Sequence, residues 1–276
     1  MLFIDGRKTR EELLPGLVQR IKGLPKPPML AIIQVGDRPD STSFIKAKKA
    51  FAKKIGVYEK HIQLQADIQE TELLRIVAKC NADKNIQGII VQLPLPEHIG
   101  RDRVINAIDP KKDADGLTDT NIESGHVIPA TARGIRELLN HYSIQLLGKK
   151  VTVIGRSMLV GTPIAQMCKR EGAIVTVCHS KTADLAKETK AADIIICAVG
   201  KAKLINACHV KRGQVIVDVG INRTEEGKLV GDVDFDAVKD IAKAITPVPG
   251  GVGPMTVFSL FENLADLCKN KNIRNK

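Results

Sequence analysis

The chain has no tryptophan, and only two tyrosines and six phenylalanines among its 276 residues. Platforms for stacking unpaired bases are therefore scarce. An arginine-rich arm is also lacking, because the basic residues are spread along the chain. Despite a formal charge of +11, these absences argue against nucleic acid as the main partner. Acidic small molecules suit the charge better, since clefts of one sign concentrate ligands of the other. No apolar run reaches the roughly 18 residues that span a bilayer, so no membrane partner is expected. The N-terminus turns charged at Asp5 and does not read as a secretory signal. None of the six cysteines forms a CxxC pair or sits at metal-ligand spacing with histidine. They read as buried free thiols in a reducing, cytoplasmic compartment, and no metal is expected.

What the sequence does contain is concentrated first in Pro247–Thr256, PVPGGVGPMT. Its three prolines and three glycines exclude a helix interior or a central strand. Pro249, Gly250 and Gly251 offer stiff, bare backbone to a ligand. The apolar segment from Val257 to Leu267 then reads as a helix. A side-chain-poor loop entering a helix can hold a polar or anionic ligand, or it can simply connect a strand to a helix.

Two series of alternating strands and helices precede it. Met29–Val35, Tyr58–Gln65 and Gly88–Leu93 read as strands, with helices at Ser41–Ile55 and Glu70–Cys80 between them. A second series places strands at Lys150–Ile154, Ala173–Cys178, Ile194–Ala198 and Gln214–Val219, with a short one ending near Thr246. A helix follows the first of these from about Gly161. The pattern implies an α/β protein with parallel sheets covered by helices. The expected domains are 1–118, completed by a helix at 255–276, and a Rossmann-like domain at 119–254. Ligands are expected in the cleft between them, at the carboxyl ends of strands.

In the second series, KVTVIGRSMLVG carries a strand into Gly155-Arg156-Ser157 and then a helix. It departs from the dinucleotide fingerprint GxGxxG, because Ser157 replaces the second glycine and the third is displaced by one residue. The next strand ends in Cys178-His179-Ser180-Lys181-Thr182. An NAD site places a carboxylate near there for the ribose hydroxyl, and this segment has none. Arg156, Ser180 and Lys181 are instead suited to a 2′-phosphate, which points to NADP. Taken singly, the two cations also fit ordinary solvated surface charges.

In the first series, STSFIKAKKAFAKKI carries five lysines. At about 100° per residue, Lys46, Lys49 and Lys53 share a polar face. Phe44, Ile45, Phe51, Ala52 and Ile55 form the opposite arc, with Lys48 in its middle. A lysine there either snorkels to water or is held where desolvation lowers its pKa, as a general base requires. Gln92 ends a buried strand with a hydrogen-bonding side chain. Asp113 and Asp115 stand in DPKKDADGL beside Gly116; Asp113 reads as a turn cap.

These segments resemble one family, the bifunctional methylenetetrahydrofolate dehydrogenase/cyclohydrolases. The matching strings are VGDRPDSTSFIKAKKA, GIIVQLPLP, DPKKDADGL, GRSMLVGTP, HSKT, VDVGIN, GDVDF and TPVPGGVGPMT, in family order and spacing. The resemblance implies oxidation of 5,10-methylenetetrahydrofolate with NADP, then hydrolysis to 10-formyltetrahydrofolate, within one-carbon metabolism. It makes Lys48 the catalytic lysine, Gln92 its partner and Asp115 the anchor of the pterin ring. It also gives Ile221 of VDVGIN to the nicotinamide end of the cofactor, and a homodimer. Another two-domain NADP dehydrogenase is the rival enzyme reading, but no well-placed His or Lys/Asp pair is found for it. Two departures stand out. Phe44 replaces the family's usual tyrosine four residues before the lysine. Pro129-Ala130-Thr131-Ala132-Arg133-Gly134 lacks the usual PCTP.

Overall fold

The computed structural model describes residues 1–273, with side chains through residue 269. The chain divides into two compact units. One comprises Leu13–Ala130 and the chain from Val257 onward; the other comprises Met1–Glu12 and Thr131–Thr256.

The chain opens with β1 (Leu2–Phe3) and α1 (Gly6–Lys22). Next come β2 (Met29–Val35), α2 (Pro39–Ile55), β3 (Tyr58–Leu64), α3 (Glu70–Ala82) and β4 (Gly88–Val91). The three strands β2 to β4 form a parallel sheet in the order β3-β2-β4. The central run MLAIIQV is almost wholly buried, as a strand paired on both edges and covered by helices must be. Ala31, Ile33, Val77, Ile89 and Val91 sit in its core. Two short helices, α4 (Arg101–Asn106) and α5 (Asp119–Ser124), follow.

The second unit continues through α6 (Ala130–His141), β5 (Lys150–Ile154), α7 (Gly161–Arg170), β6 (Ile174–Cys178), α8 (Leu185–Ala191), β7 (Ile194–Cys197) and β8 (Val215–Asp218). A small antiparallel hairpin, β9 (Asn222–Arg223) and β10 (Leu229–Val230), precedes α9 (Phe235–Val238), β11 (Ala244–Ile245) and α10 (Val252–Ile273). Its six-stranded sheet is parallel throughout, in the order β1-β11-β8-β7-β5-β6. The order reverses at β5, so the chain crosses from one half of the sheet to the other there. That is where doubly wound sheets take their ligands.

Three differences from the sequence reading have physical causes. The first residues belong with the second unit, because β1 pairs with β11 at the sheet edge, Leu2 opposite Ala244. Helix α10 starts at Val252, ahead of both the apolar segment at Val257 and the expected domain-completing helix from 255. Pro254 fits its first turn, where a missing N–H deprives no carbonyl of a partner. Cys208 is exposed, while the other five cysteines are buried and all six are free. Among the described residues, no helix is long and apolar enough to cross a membrane.

Candidate active site

Lys48 occupies the buried face of α2, with Ile45, Phe51, Ala52 and Ile55. The helical spacing that singled it out in the sequence holds, and only 8% of the residue is exposed. Its Nζ donates to Oε1 of Gln92 at 3.0 Å. Gln92 stands just past β4, where its backbone N–H still bonds the Ile33 carbonyl at 2.8 Å. Its Nε2 donates to the Leu93 carbonyl at 2.7 Å, which fixes the amide with its oxygen toward the lysine. Burial lowers the Lys48 pKa, and the negative charge of Asp115 opposes that shift. Burial likewise raises the Asp115 pKa, opposed by Lys48 and reinforced by Asp113. The two groups thus push each other toward ionisation while their surroundings push them toward neutrality, which is the setting of a proton-transfer site.

The loop that carries Asp115 is pinned on both sides. Its backbone runs beside β4: the Ile89 N–H bonds the Lys112 carbonyl at 2.7 Å, and the Ala114 N–H bonds the Ile89 carbonyl at 3.3 Å. The buried Lys112 Nζ donates to the carbonyls of Cys80, Asn81 and Asp83, at the carboxyl end of α3. A cation suits that end of a helix. Asp113 accepts from the Gly116 and Thr118 N–H groups, both at 2.8 Å, and from Asn121 Nδ2 at 3.0 Å. It is the turn cap the sequence suggested. Lys112 was not singled out, since adjacent lysines in a polar loop give no sign of which one turns inward.

In the second unit, the turn after β5 is set by close approach. Gly155 has φ +116, and a Cβ there would run into the Ala198 carbonyl. The Ser157 hydroxyl accepts from the N–H groups of Val160 and Gly161, at 3.2 and 3.3 Å. The residue at the fingerprint's second glycine position thus bonds the backbone that leads into α7. Arg156, Ser180 and Lys181 are all exposed, at the ends of β5 and β6. The fit to a dinucleotide carrying a 2′-phosphate is good: a glycine cradle, two cations, a hydroxyl and no carboxylate in the segment Cys178–Thr182.

A pocket of the same unit is lined by Arg7, Gly220, Ile221, Pro249, Gly250 and Gly251, among others. Ile221 is 48% exposed, free to pack on a flat ligand. The Gly250 carbonyl accepts from the N–H groups of Gly6 and Arg7, at 3.0 and 3.2 Å. Those bonds bring Arg7 into the pocket from the far end of the sequence. No local pattern marks it, because the pairing of β1 with β11 and the Gly250 carbonyl that place it there are more than 200 residues away.

Two family models match the chain: the tetrahydrofolate dehydrogenase/cyclohydrolase catalytic domain over residues 4–115, and the corresponding NAD(P)-binding domain over residues 129–272. The chain belongs to the tetrahydrofolate dehydrogenase/cyclohydrolase family. A bifunctional protein FolD from Lactobacillus helveticus is 46% identical over 98% of this chain and 99% of its own length. The crystal structure of the bifunctional FolD of Campylobacter jejuni superposes with a TM-score of 0.93, at 40% identity, covering 98% of this chain and 99% of that one. The Trypanosoma brucei enzyme, complexed with NADP cofactor and an inhibitor, gives 0.92 at 34% identity, covering 99% and 98%.

Within this family Phe44 is the notable feature of the chain. It lies four residues before Lys48, about one helical turn, and is 41% exposed. The sequence reading placed it in the apolar arc with Phe51, but its position on the margin of that arc turns it toward solvent. A ring held there can stack on a planar ligand.

Proposed function

We propose that this protein is the NADP-dependent methylenetetrahydrofolate dehydrogenase and methenyltetrahydrofolate cyclohydrolase of its cell, acting in cytoplasmic one-carbon metabolism. The observation that carries the reading is the buried Lys48 amine, 3.0 Å from Gln92 and charge-coupled to Asp115. In this reading the unit of Leu13–Ala130 and the chain from Val257 onward serves folate, and the unit of Met1–Glu12 and Thr131–Thr256 serves the cofactor. Phe44, Pro249, Gly250 and Gly251 contact the folate, and Asp115 anchors its pterin edge. Gly155, Arg156, Ser157, Ser180 and Ile221 hold the cofactor, with Lys181 beside the 2′-phosphate. NADP⁺ held there would supply the acceptor for a hydride from the methylene carbon of the folate, whose loss leaves the methenyl cation.

The residues of the chain then govern water and protons. Burial favours the neutral amine of Lys48, and the methenyl cation disfavours a second positive charge beside it. Water attacks the amidinium carbon as Lys48 takes its proton. Lys48 returns that proton to the ring nitrogen as the carbon–nitrogen bond breaks. The remaining hydroxyl proton leaves, giving the formyl group and one net proton. Gln92 keeps the amine aimed throughout, because its own amide is fixed by Leu93.

A homodimer fits the same reading. Strand β6 lies at the edge of the six-stranded sheet with Ile174 61% and Val177 38% exposed. An apolar strand edge of this kind favours pairing with a second copy.

The test is absorbance at 340 nm after adding methylenetetrahydrofolate with NADP⁺ or NAD⁺. NADP⁺ is expected to support turnover at much lower concentration. Arg156→Ala should raise the KM for NADP⁺ more than that for NAD⁺. No absorbance change with either cofactor would refute the enzyme reading, and equal losses with both would refute the 2′-phosphate assignment.

A further inference from the structure

Two strings of the sequence, VDVGIN and GDVDF, end in an arrangement the reaction itself does not explain. Asp218 closes β8, and Asp232 follows β10. Both are buried, at 4% and 0% exposure. Among the described residues, neither forms an ion pair. Two carboxylates beside each other without a cation are costly unless fully hydrogen-bonded.

The hydrogen bonds are supplied almost entirely by backbone. Asp232 Oδ2 accepts from the N–H groups of Val199 and Gly200, at 2.7 and 3.0 Å. Its Oδ1 accepts from the Lys201 N–H at 2.8 Å and from Asn222 Nδ2 at 2.9 Å. Asp218 accepts from the N–H groups of Gly220, Asp232 and Val233, at 2.9 to 3.0 Å. The Asp218 N–H in turn donates to Thr246 Oγ1 at 2.8 Å. The two glycines nearby are reciprocal: a Cβ on Gly220 would enter the Asp232 carboxylate, and one on Gly231 would enter that of Asp218. Burial and the charge of Asp232 push Asp218 up to about 7, against the pull of its backbone donors.

The geometry points to Asp232 as a positioning residue for the cofactor, holding the strand-end loops after β7 and β8 in one fixed relation. The loop after β7 begins at Ala198, whose carbonyl leaves room only for a glycine at 155. The loop after β8 presents Gly220 and Ile221 to the pocket. One carboxylate thus ties the wall behind the dinucleotide turn to the residue assigned to the nicotinamide end. The inference rests on the cofactor reading above and adds to it a residue that touches no ligand. In many sites a metal ion or a bound water gathers strand ends in this way; here a side chain does it, with Asp218 bracing the side chain's own backbone.

Asp232→Asn tests the idea with little change of size. Whichever way the amide turns, one of its two positions becomes a donor and faces N–H groups. Hydrogen exchange in the ligand-free protein should show faster exchange at Val199–Lys201. Titration with NADP⁺ should show at least tenfold weaker binding. In steady state the KM for NADP⁺ should rise more than kcat falls, which general loosening of the fold would not select. Asn222→Ala removes one link of Asp232 to the loop after β8 while leaving the Asp218 bond to the Asp232 N–H in place, and serves if the first variant fails to fold. It should weaken NADP⁺ binding about threefold without altering exchange at Val199–Lys201. If wild type binds NADP⁺ and both folded variants bind it equally well, the proposal is wrong while the cofactor reading stands. If wild type binds no NADP⁺, the cofactor reading fails and takes the proposal with it.

Discussion

On the Lys48 side, the amine from α2 donates to Gln92 at the end of β4, and the charge of the buried Asp115 in the loop at 113–116 acts on it. On the Asp232 side, two carboxylates gather mostly backbone N–H groups from separate strand ends. The first arrangement leaves its charges unequal to their surroundings, so protonation can change during a reaction. The second surrounds its carboxylates with backbone donors, which in the proposed reading hold separate strand ends in place although burial pushes Asp218 up to about 7. In the proposed reading, buried charge has two uses in one chain: proton transfer where hydrogen-bond donors are few and another titratable group acts on the amine, and support where backbone donors are many.

The strongest test of that contrast removes the reactive amine. Lys48→Met keeps the aliphatic stem, and hydrolysis of supplied methenyltetrahydrofolate is expected to fall by about 10³-fold, the scale of general acid–base catalysis. NADP⁺ affinity, measured by titration, should stay within about twofold. A variant with normal hydrolysis would make Lys48 structural and erase the difference between the two regions.

Asp115→Asn sharpens the electrostatic half. Loss of a charged hydrogen-bonding group should lower both activities by about 10²-fold, with weaker folate binding. The pH profile gives the sign. Hydrolysis should rise with pH as the Lys48 ammonium loses its proton. Asp115 holds that pKa up against burial, so without its charge the pKa drops further and the rising limb moves to lower pH. A limb that stays in place, or moves to higher pH, would show that the two groups are not coupled.

Phe44→Tyr is expected to have the smallest effect. It adds a hydroxyl one helical turn from Lys48 and leaves the ring in place. The dehydrogenase should be nearly unchanged, and hydrolysis should speed up by less than about tenfold, the worth of one hydrogen bond. Measured slowing would show that the exposed ring of this chain already occupies its best position.

Much of the geometry around Lys48 is legible in the sequence. Lys48 broke an apolar arc whose period is fixed by the helix, and Gln92 broke a buried strand at its end. Asp113 was readable as a cap because Asx turns are local. Phe44 was misplaced because an arc drawn from spacing does not say where the margin of burial falls. The fixed frame was much less legible. Asp218 and Asp232 lie 14 residues apart, and each bonds backbone from loops that sequence periodicity does not relate. The same limit hid β1, which pairs with a strand more than 200 residues away, and Arg7, whose N–H bonds the Gly250 carbonyl. The start of α10 is hidden for a local reason: proline and glycine read as helix breakers, whereas the first turn of a helix tolerates both.

The inward turn of Lys112 bears on how the folded chain meets a protease. DPKKDADGL offers two adjacent basic residues in a loop, a sequence that an enzyme cutting after lysine would normally accept. Lys111 is exposed, but Lys112 is 6% exposed, and its ammonium is bonded to three carbonyls of another segment. Its own carbonyl, the one a protease would attack, is bonded to the N–H of Ile89 at 2.7 Å. Cleavage after Lys112 therefore requires the loop to leave β4 and α3 together. That scissile bond reports the integrity of the Asp115 loop, while the bond after Lys111 lies beside a side chain already open to the enzyme.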